Sequence, residues 1–269
     1  MIHMGLSPNM VHVGSLKVTW HSFFGLLSIV LAYYLTVRWA RSAGIADGVI
    51  QSVGLWAILG GMLGARVVHV ADQWGYYSAN PGQIVAVWNG GIAIWGAVFG
   101  GVMAGSIYAA RKGFPIARIL DLTAPALILA QAVGRIGDII NGEHFSGFTN
   151  LPWAVVYTNP DSPGFGRAPS HPAVAYEMLA DLALFALLWV LRGRLRTPGA
   201  LFAVYAAVYS VIRFSLSFIR YDSHSSLLGL NQQGYLSIPV FVAAVVALVV
   251  LLRSHDERAQ GGGLRRELA

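Results

Sequence analysis

The chain contains no cysteine among its 269 residues. That absence excludes disulfides, thiolate metal sites and a cysteine nucleophile of its own, so any thiol in its chemistry belongs to a substrate. Charge is scarce: 11% of residues are Asp, Glu, Lys or Arg, against about 25% in soluble domains. No segment alternates in the manner of a membrane β-strand, and no internal repeat is present. The histidines (His3, His12, His21, His69, His144, His171, His224 and His255) show no HExxH or related spacing, so neither a metal site nor a cofactor is expected. No GxSxG elbow marks a serine nucleophile. Gly134-Arg135-Ile136-Gly137 lacks the preceding strand that a dinucleotide-binding loop needs.

What the chain has is apolar length. With 56% hydrophobic residues it divides into seven spans at roughly 18–37, 49–70, 89–109, 119–140, 171–191, 199–219 and 236–252. Each approaches the ~20 residues that cross ~30 Å of hydrocarbon as a helix. The expected class is all-α, a polytopic membrane bundle of seven transmembrane helices. Residues 1–252 form one integral-membrane domain with outer loops at 71–88 and 141–170. The polar, Gly-rich stretch 253–269 is a flexible tail.

The basic residues set the orientation. Arg38 and Arg41, then Arg111, Lys112 and Arg118, then Arg192, Arg194 and Arg196, then Arg253, Arg258, Arg265 and Arg266 all fall on one side. The positive-inside rule places that side in the cytoplasm, with the N-terminus outside and the C-terminus inside. The formal charge of +6 is thereby explained by topology, and no nucleic acid partner is expected. Gly60 and Gly64, Gly96 and Gly100, and Gly101 and Gly105 form GxxxG pairs suited to close helix packing. The NGG stretch at 89–91 suggests a break lining a cavity.

Three arginines fall inside the spans: Arg66, Arg135 and Arg213. A mid-bilayer arginine costs at least ~2.5 kcal/mol on insertion scales and so faces a partner or a cavity. On the topology above, all three sit toward the outer leaflet. Asp72, Asp138, Glu143, His144, His171, Tyr176 and Glu177 fall at the same level, with Asp138 one helical turn from Arg135. One reading is a set of buried ion pairs that fix the helices. The other is an anion site, because guanidinium presents a planar fork of donors matched to phosphate. At headgroup depth that anion is a phospholipid phosphate.

The residues that carry most information are GRIGDIINGEHFSG (134–147), WNGGIAIWGAVFGG (88–101), HPAVAYE (171–177) and IRF (212–214). Together they resemble the signature segments of the prolipoprotein diacylglyceryl transferases, in the same order, over about residues 20–252. The resemblance implies a bacterial cytoplasmic (inner) membrane enzyme. It would move the diacylglyceryl group of phosphatidylglycerol to the lipobox cysteine of a prolipoprotein signal peptide, releasing glycerol phosphate. It further implies that Arg135 is the essential signature arginine, that Arg213 is the arginine of the later helix, and that Asn141, Asp138, Glu143, Gly147 and Glu177 belong to the site. Arg66 and Tyr76 or Tyr77 would contact lipid.

The chain departs from that pattern at four places. Trp95 stands where some members carry a histidine base, and indole cannot accept a proton. Asp138 replaces a common Asn, Phe24 a common Tyr, and Ser217 a Glu found in some members. With Trp95 excluded, Glu143 is the first candidate base and His144 the second. Two rival functions stand beside the enzyme. One is a lipid-binding paralogue that has lost its chemistry. The other is an anionic-solute transporter, against which the arginines cluster at one level and do not line a path.

Overall fold

A computed structural model describes the backbone at residues 1–13, 16–86, 91, 93–220, 226–227 and 230–267. The side chains at 13, 16, 94–95, 226–227, 230–232 and 255–267 lie outside that description, Trp95 among them, as do Asn89 and Gly90 of the NGG stretch.

Helices dominate, and among the described residues six are long and apolar enough to cross a membrane. They are α1 (Trp20–Ser42), α2 (Asp47–Asp72), α5 (Ile116–Asn141), α6 (Ala173–Leu191), α7 (Ala200–Ser217) and the 233–254 portion of α8 (Gln232–Glu267). Large apolar side chains such as Leu26, Leu63, Leu179 and Val246 point outward from them, as a lipid solvent requires. Helix α4 (Ile94–Arg111) occupies most of the remaining expected span. Within the expected outer loop 71–88, whose residues 87 and 88 lie outside the described ones, the chain forms the end of α2, the short helix α3 (Trp74–Ala79) and a 3-10 turn (Pro81–Ile84).

The all-α expectation needs one refinement. Short strands pair outside the helices: β1 (Ile2–Met4) with β4 (Val155–Tyr157) in parallel, β2 (Asn9–Val13) with β3 (Leu16–Thr19) antiparallel, and β5 (Ser226–Leu227) with β6 (Leu230–Asn231). These segments lack a long apolar stripe, and strand pairing satisfies their backbone groups instead.

The chain packs as two compact units, one of residues 36–119 and one of residues 1–35 with 120–269. In the first, α2 and α4 meet through their small residues. A Cβ on Gly64 or Gly100 would fall on the backbone carbonyl of Gly96 or Gly60, and one on Gly101 would lie 3.0 Å from the Ala57 carbonyl oxygen. The GxxxG pairs expected from the sequence are therefore packing faces.

In the second unit, Ala124 and Ile128 of α5, Leu184 and Leu188 of α6, and Leu201 and Tyr205 of α7 form the core. The Asp121 carboxylate accepts from the Gly199 and Phe202 N–H groups, 2.7 and 2.9 Å away, and so anchors the N-terminus of α7 to α5. Helix α1 begins at Trp20 because the Thr19 hydroxyl accepts the Ser22 N–H (3.1 Å). Its first turn lies tight against the end of α5. A Cβ on Gly137 would sit 2.7 Å from the Trp20 carbonyl oxygen and 2.9 Å from the His21 Cα, and one on Gly134 would sit 3.0 Å from the Ser28 hydroxyl. The two signature glycines thus bring α1 onto α5.

Candidate functional site

Helix α5 stops in a polar cluster because of Gly142. Its φ of +78° suits glycine, and its N–H donates to the Asp138 carbonyl (3.0 Å). A side chain there would also strike the Tyr157 ring, 2.7 Å away. The last carbonyls of the helix are satisfied from outside. Tyr157 donates its hydroxyl to Ile139 (2.8 Å), and Ser162 donates to Asn141 (2.9 Å). Burial pushes the Tyr157 phenol up to about 12, so it stays a neutral donor. The chain then turns back and sets Glu143 and His144 beside the last turn of α5.

The charges form a closed ring. Arg135 donates to Asp138 (2.7 Å) and to Glu177 (2.6 Å). Glu177, fully buried on α6, also accepts from Arg213 of α7 and from Arg220 just beyond it, the latter at 2.9 Å. Arg220 reaches His144 Nδ1 (3.0 Å), and His144 Nε2 lies 3.4 Å from Asp138. The ion pairs expected of a structural role are therefore present. Yet three guanidiniums surround two buried carboxylates, and Glu177 alone serves all three. With Asp181 buried one turn along α6 and Glu143 beside His21, the cluster carries no net positive charge; what it offers an anion is three guanidinium donors that share the single carboxylate of Glu177. Arg135 is the most open of the three, with 18% of its side chain exposed against 9% for Arg213 and 2% for Arg220. Its Nε is buried and has no hydrogen-bond partner among the described residues.

The other expected residues divide around this ring. Asn141 donates to Glu143 (2.8 Å) and is itself buried. Gly147 ties the loop to the chain just after α7 and just before α6: its N–H donates to the Ile219 carbonyl (2.9 Å), and its carbonyl accepts from the His171 N–H (3.0 Å). The Tyr176 hydroxyl accepts from the Trp153 indole (2.7 Å). Arg66 and Tyr76 belong to the other unit. There the Arg66 guanidinium donates to the carbonyls of Ile84 (2.8 Å), Gly91 (2.8 Å), Gln83 and Ala86 and lies over the Tyr77 ring. Gly91, with φ +81°, is where a side chain would collide with Arg66 and His69; the rest of the expected break, Asn89 and Gly90, lies outside the described residues. Tyr76 is exposed, with its ring edge against Tyr77.

Three residues in the cluster carry no expectation from sequence. Arg220 lies two helical turns after Arg213, a spacing that puts both on one face and was legible in principle. His21, in the first turn of α1, has its Nδ1 2.6 Å from Asp138 and 3.2 Å from Glu143. No local signal near His21 points to residues more than a hundred positions away. Asp181, one turn after Glu177, is fully buried, and neither carboxyl oxygen has a hydrogen-bond partner among the described residues. Among the described residues, His21, Asp138 and Glu143 are a group whose ligand atoms converge within 4.8 Å. The Arg135 guanidinium on Asp138 repels a dication there.

Sequence comparison decides the family. The family model for "Prolipoprotein diacylglyceryl transferase" matches residues 8–250. This chain belongs to that family. It is 35% identical over 93% of its length to the phosphatidylglycerol–prolipoprotein diacylglyceryl transferase of Frankia alni, covering 67% of that protein. It is 34% identical to the enzyme of that name from Thermosynechococcus vestitus, over 90% of this chain and 87% of the relative. It is also 34% identical to transferase 2 of Streptomyces coelicolor, over 96% and 84%. As a prolipoprotein diacylglyceryl transferase family member it is a multi-pass membrane protein. The family match spans α5, α6 and α7, which carry the ring, and α1, which carries His21.

Proposed function

We propose that this chain transfers the diacylglyceryl group of phosphatidylglycerol to the thiol of a lipobox cysteine in a prolipoprotein signal peptide, releasing glycerol phosphate. The observation that carries the reading is the set of Arg135, Arg213 and Arg220 gathered around Glu177 at the ends of apolar helices. A headgroup phosphate would dock from the Arg135 side, competing with Glu177 and Asp138 for the guanidinium forks. As the glyceryl carbon–oxygen bond breaks, negative charge grows on the departing phosphate. Donors already fixed in place stabilise that charge with little reorganisation. The absence of cysteine fits a nucleophile brought by the substrate.

In this reading α4 is the seventh span. The N-terminus and the polar cluster face outward across the bacterial inner membrane, and the C-terminus lies in the cytoplasm. Residues 1–252 are the transferase domain and 253–269 its cytoplasmic tail. Asn141, Glu143, His144 and Gly147 shape the rim of the lipid site. Membrane lipid and the signal peptide are the partners, and no nucleic acid is involved.

The test is a purified protein incubated with phosphatidylglycerol vesicles and a lipobox peptide, read by mass spectrometry. The expected outcome is a diacylglyceryl adduct on the peptide cysteine. Binding of the lipid without an adduct identifies the catalytically lost paralogue and overturns the enzymatic reading.

A further inference from the structure

The transfer needs a proton acceptor. Attack by a thiolate is far faster than attack by a thiol, and the residue at position 95 is a tryptophan, whose indole accepts no proton. The two acceptors suggested by sequence are already engaged. Glu143 accepts from Asn141 through Oε2 and faces His21 through Oε1. His144 has Nδ1 against Arg220 and Nε2 toward Asp138.

We propose that His21 is the general base of the transfer, held in its working tautomer by Asp138. The geometry has three parts. First, Nδ1 lies 2.6 Å from Asp138 Oδ1, with Glu143 Oε1 at 3.2 Å, so it carries the proton and donates to carboxylate. Second, the described residues give Nε2 no partner, and a donating Nδ1–H leaves the Nε2 lone pair as the acceptor. Third, the His21 side chain is 49% exposed while Asp138 beneath it is 7% exposed. A substrate thiol can thus reach the ring while the orienting carboxylate stays out of water. Gly137 makes the arrangement possible, since any side chain there would push the first turn of α1 off α5. Arg135 grips the other Asp138 oxygen, so the base and the phosphate site share one carboxylate.

The inference rests on the transferase reading above. Its step balances without a co-reactant. Nε2 takes the proton of the cysteine S–H. The sulfur's electron pair forms a bond to the glyceryl CH₂ that carries the phosphate oxygen. The carbon–oxygen bond breaks and its pair leaves on glycerol phosphate. The imidazolium then gives its proton to solvent, to which the half-exposed ring is open.

The experiment compares wild type with His21→Gln, a change that keeps a donor for Asp138 and removes the acceptor. Turnover of a lipobox peptide is expected to fall about 10²–10⁴-fold in kcat, with KM for phosphatidylglycerol and the melting temperature close to wild type. A selenocysteine version of the peptide, already ionised at neutral pH, should recover most of the lost rate in His21→Gln. His21→Gln turnover within a few-fold of wild type would overturn the assignment. So would a loss that the selenocysteine peptide does not relieve, which would mark His21 as structural. So would wild-type turnover abolished by a chelator and restored by Zn²⁺, which would make the cluster a metal site. Wild type that leaves the peptide unmodified would instead sink the transferase reading itself.

Discussion

Arg66 and Arg135 are both guanidiniums on helices long enough to cross a membrane, and the two units satisfy them in opposite ways. Around Arg66 the acceptors among the described residues are the backbone carbonyls of Gln83, Ile84, Ala86 and Gly91, which are fixed by the chain. Around Arg135 they are carboxylates, which three arginines and two histidines share. Carbonyls neutralise no charge, but they fix geometry. Carboxylates neutralise charge, and another anion such as phosphate can compete with them. On the proposed reading the same side chain is a structural strut in one unit and an exchangeable ligand in the other.

The sharpest way to break this comparison is Glu177→Gln. It removes the charge that three buried guanidiniums share. Loss of one partner from a buried ion pair costs about 3–5 kcal/mol, so thermal unfolding in detergent should show severe destabilisation or no folded protein. A melting temperature equal to wild type would mean that the ring is better hydrated than its burial implies. Next comes Arg213→Ala. If its donor acts on the departing phosphate, transfer to the lipobox peptide should drop about 10²–10³-fold. Unchanged turnover would return Arg213 to a purely structural role.

Gly137→Ala probes how α1 meets α5. The added methyl faces Trp20 and His21, and overpacking of this kind costs about 1–3 kcal/mol. Melting should report that cost, and transfer should fall by more than the melt accounts for, because His21 is displaced. Arg66→Ala tests the other side. Its carbonyls lose their donor at about 1–3 kcal/mol, lowering stability, while transfer per folded molecule stays within a few-fold. A loss of 10² or more would show that this arginine also handles lipid. The smallest effect belongs to Glu143→Gln, with less than about a 10²-fold loss, the lower bound for a general base. A greater loss would move the proton-accepting role from His21 to Glu143.

Much of the scaffold was legible before any coordinates. Apolar length alone located the six membrane-length helices and the stretch that becomes α4, because a bilayer imposes one span length on every crossing. The GxxxG pairs announced the packing of α2 on α4, since close approach demands residues without side chains. Boundaries were less legible. Strands at the N-terminus and at 155–157 have no apolar period to betray them, and α8 continues to Glu267 through a segment that composition marks as polar. Within the site, Asp138 beside Arg135 was readable because three residues along a helix is a fixed geometry.

The remaining contacts were not readable in that way. His21 meets Asp138 across 117 positions of chain, and Glu177 gathers arginines that precede it by 42 residues and follow it by 36 and 43. Composition and local period determined that this protein lives in a membrane, has no nucleophilic thiol and carries more cations than a bilayer tolerates unpaired. Only the packed helices decided which cation is held by backbone carbonyls and which shares carboxylates with its neighbours. Period and propensity act over one or two helical turns, whereas pairing of charge depends on which helix ends are brought within a few ångströms.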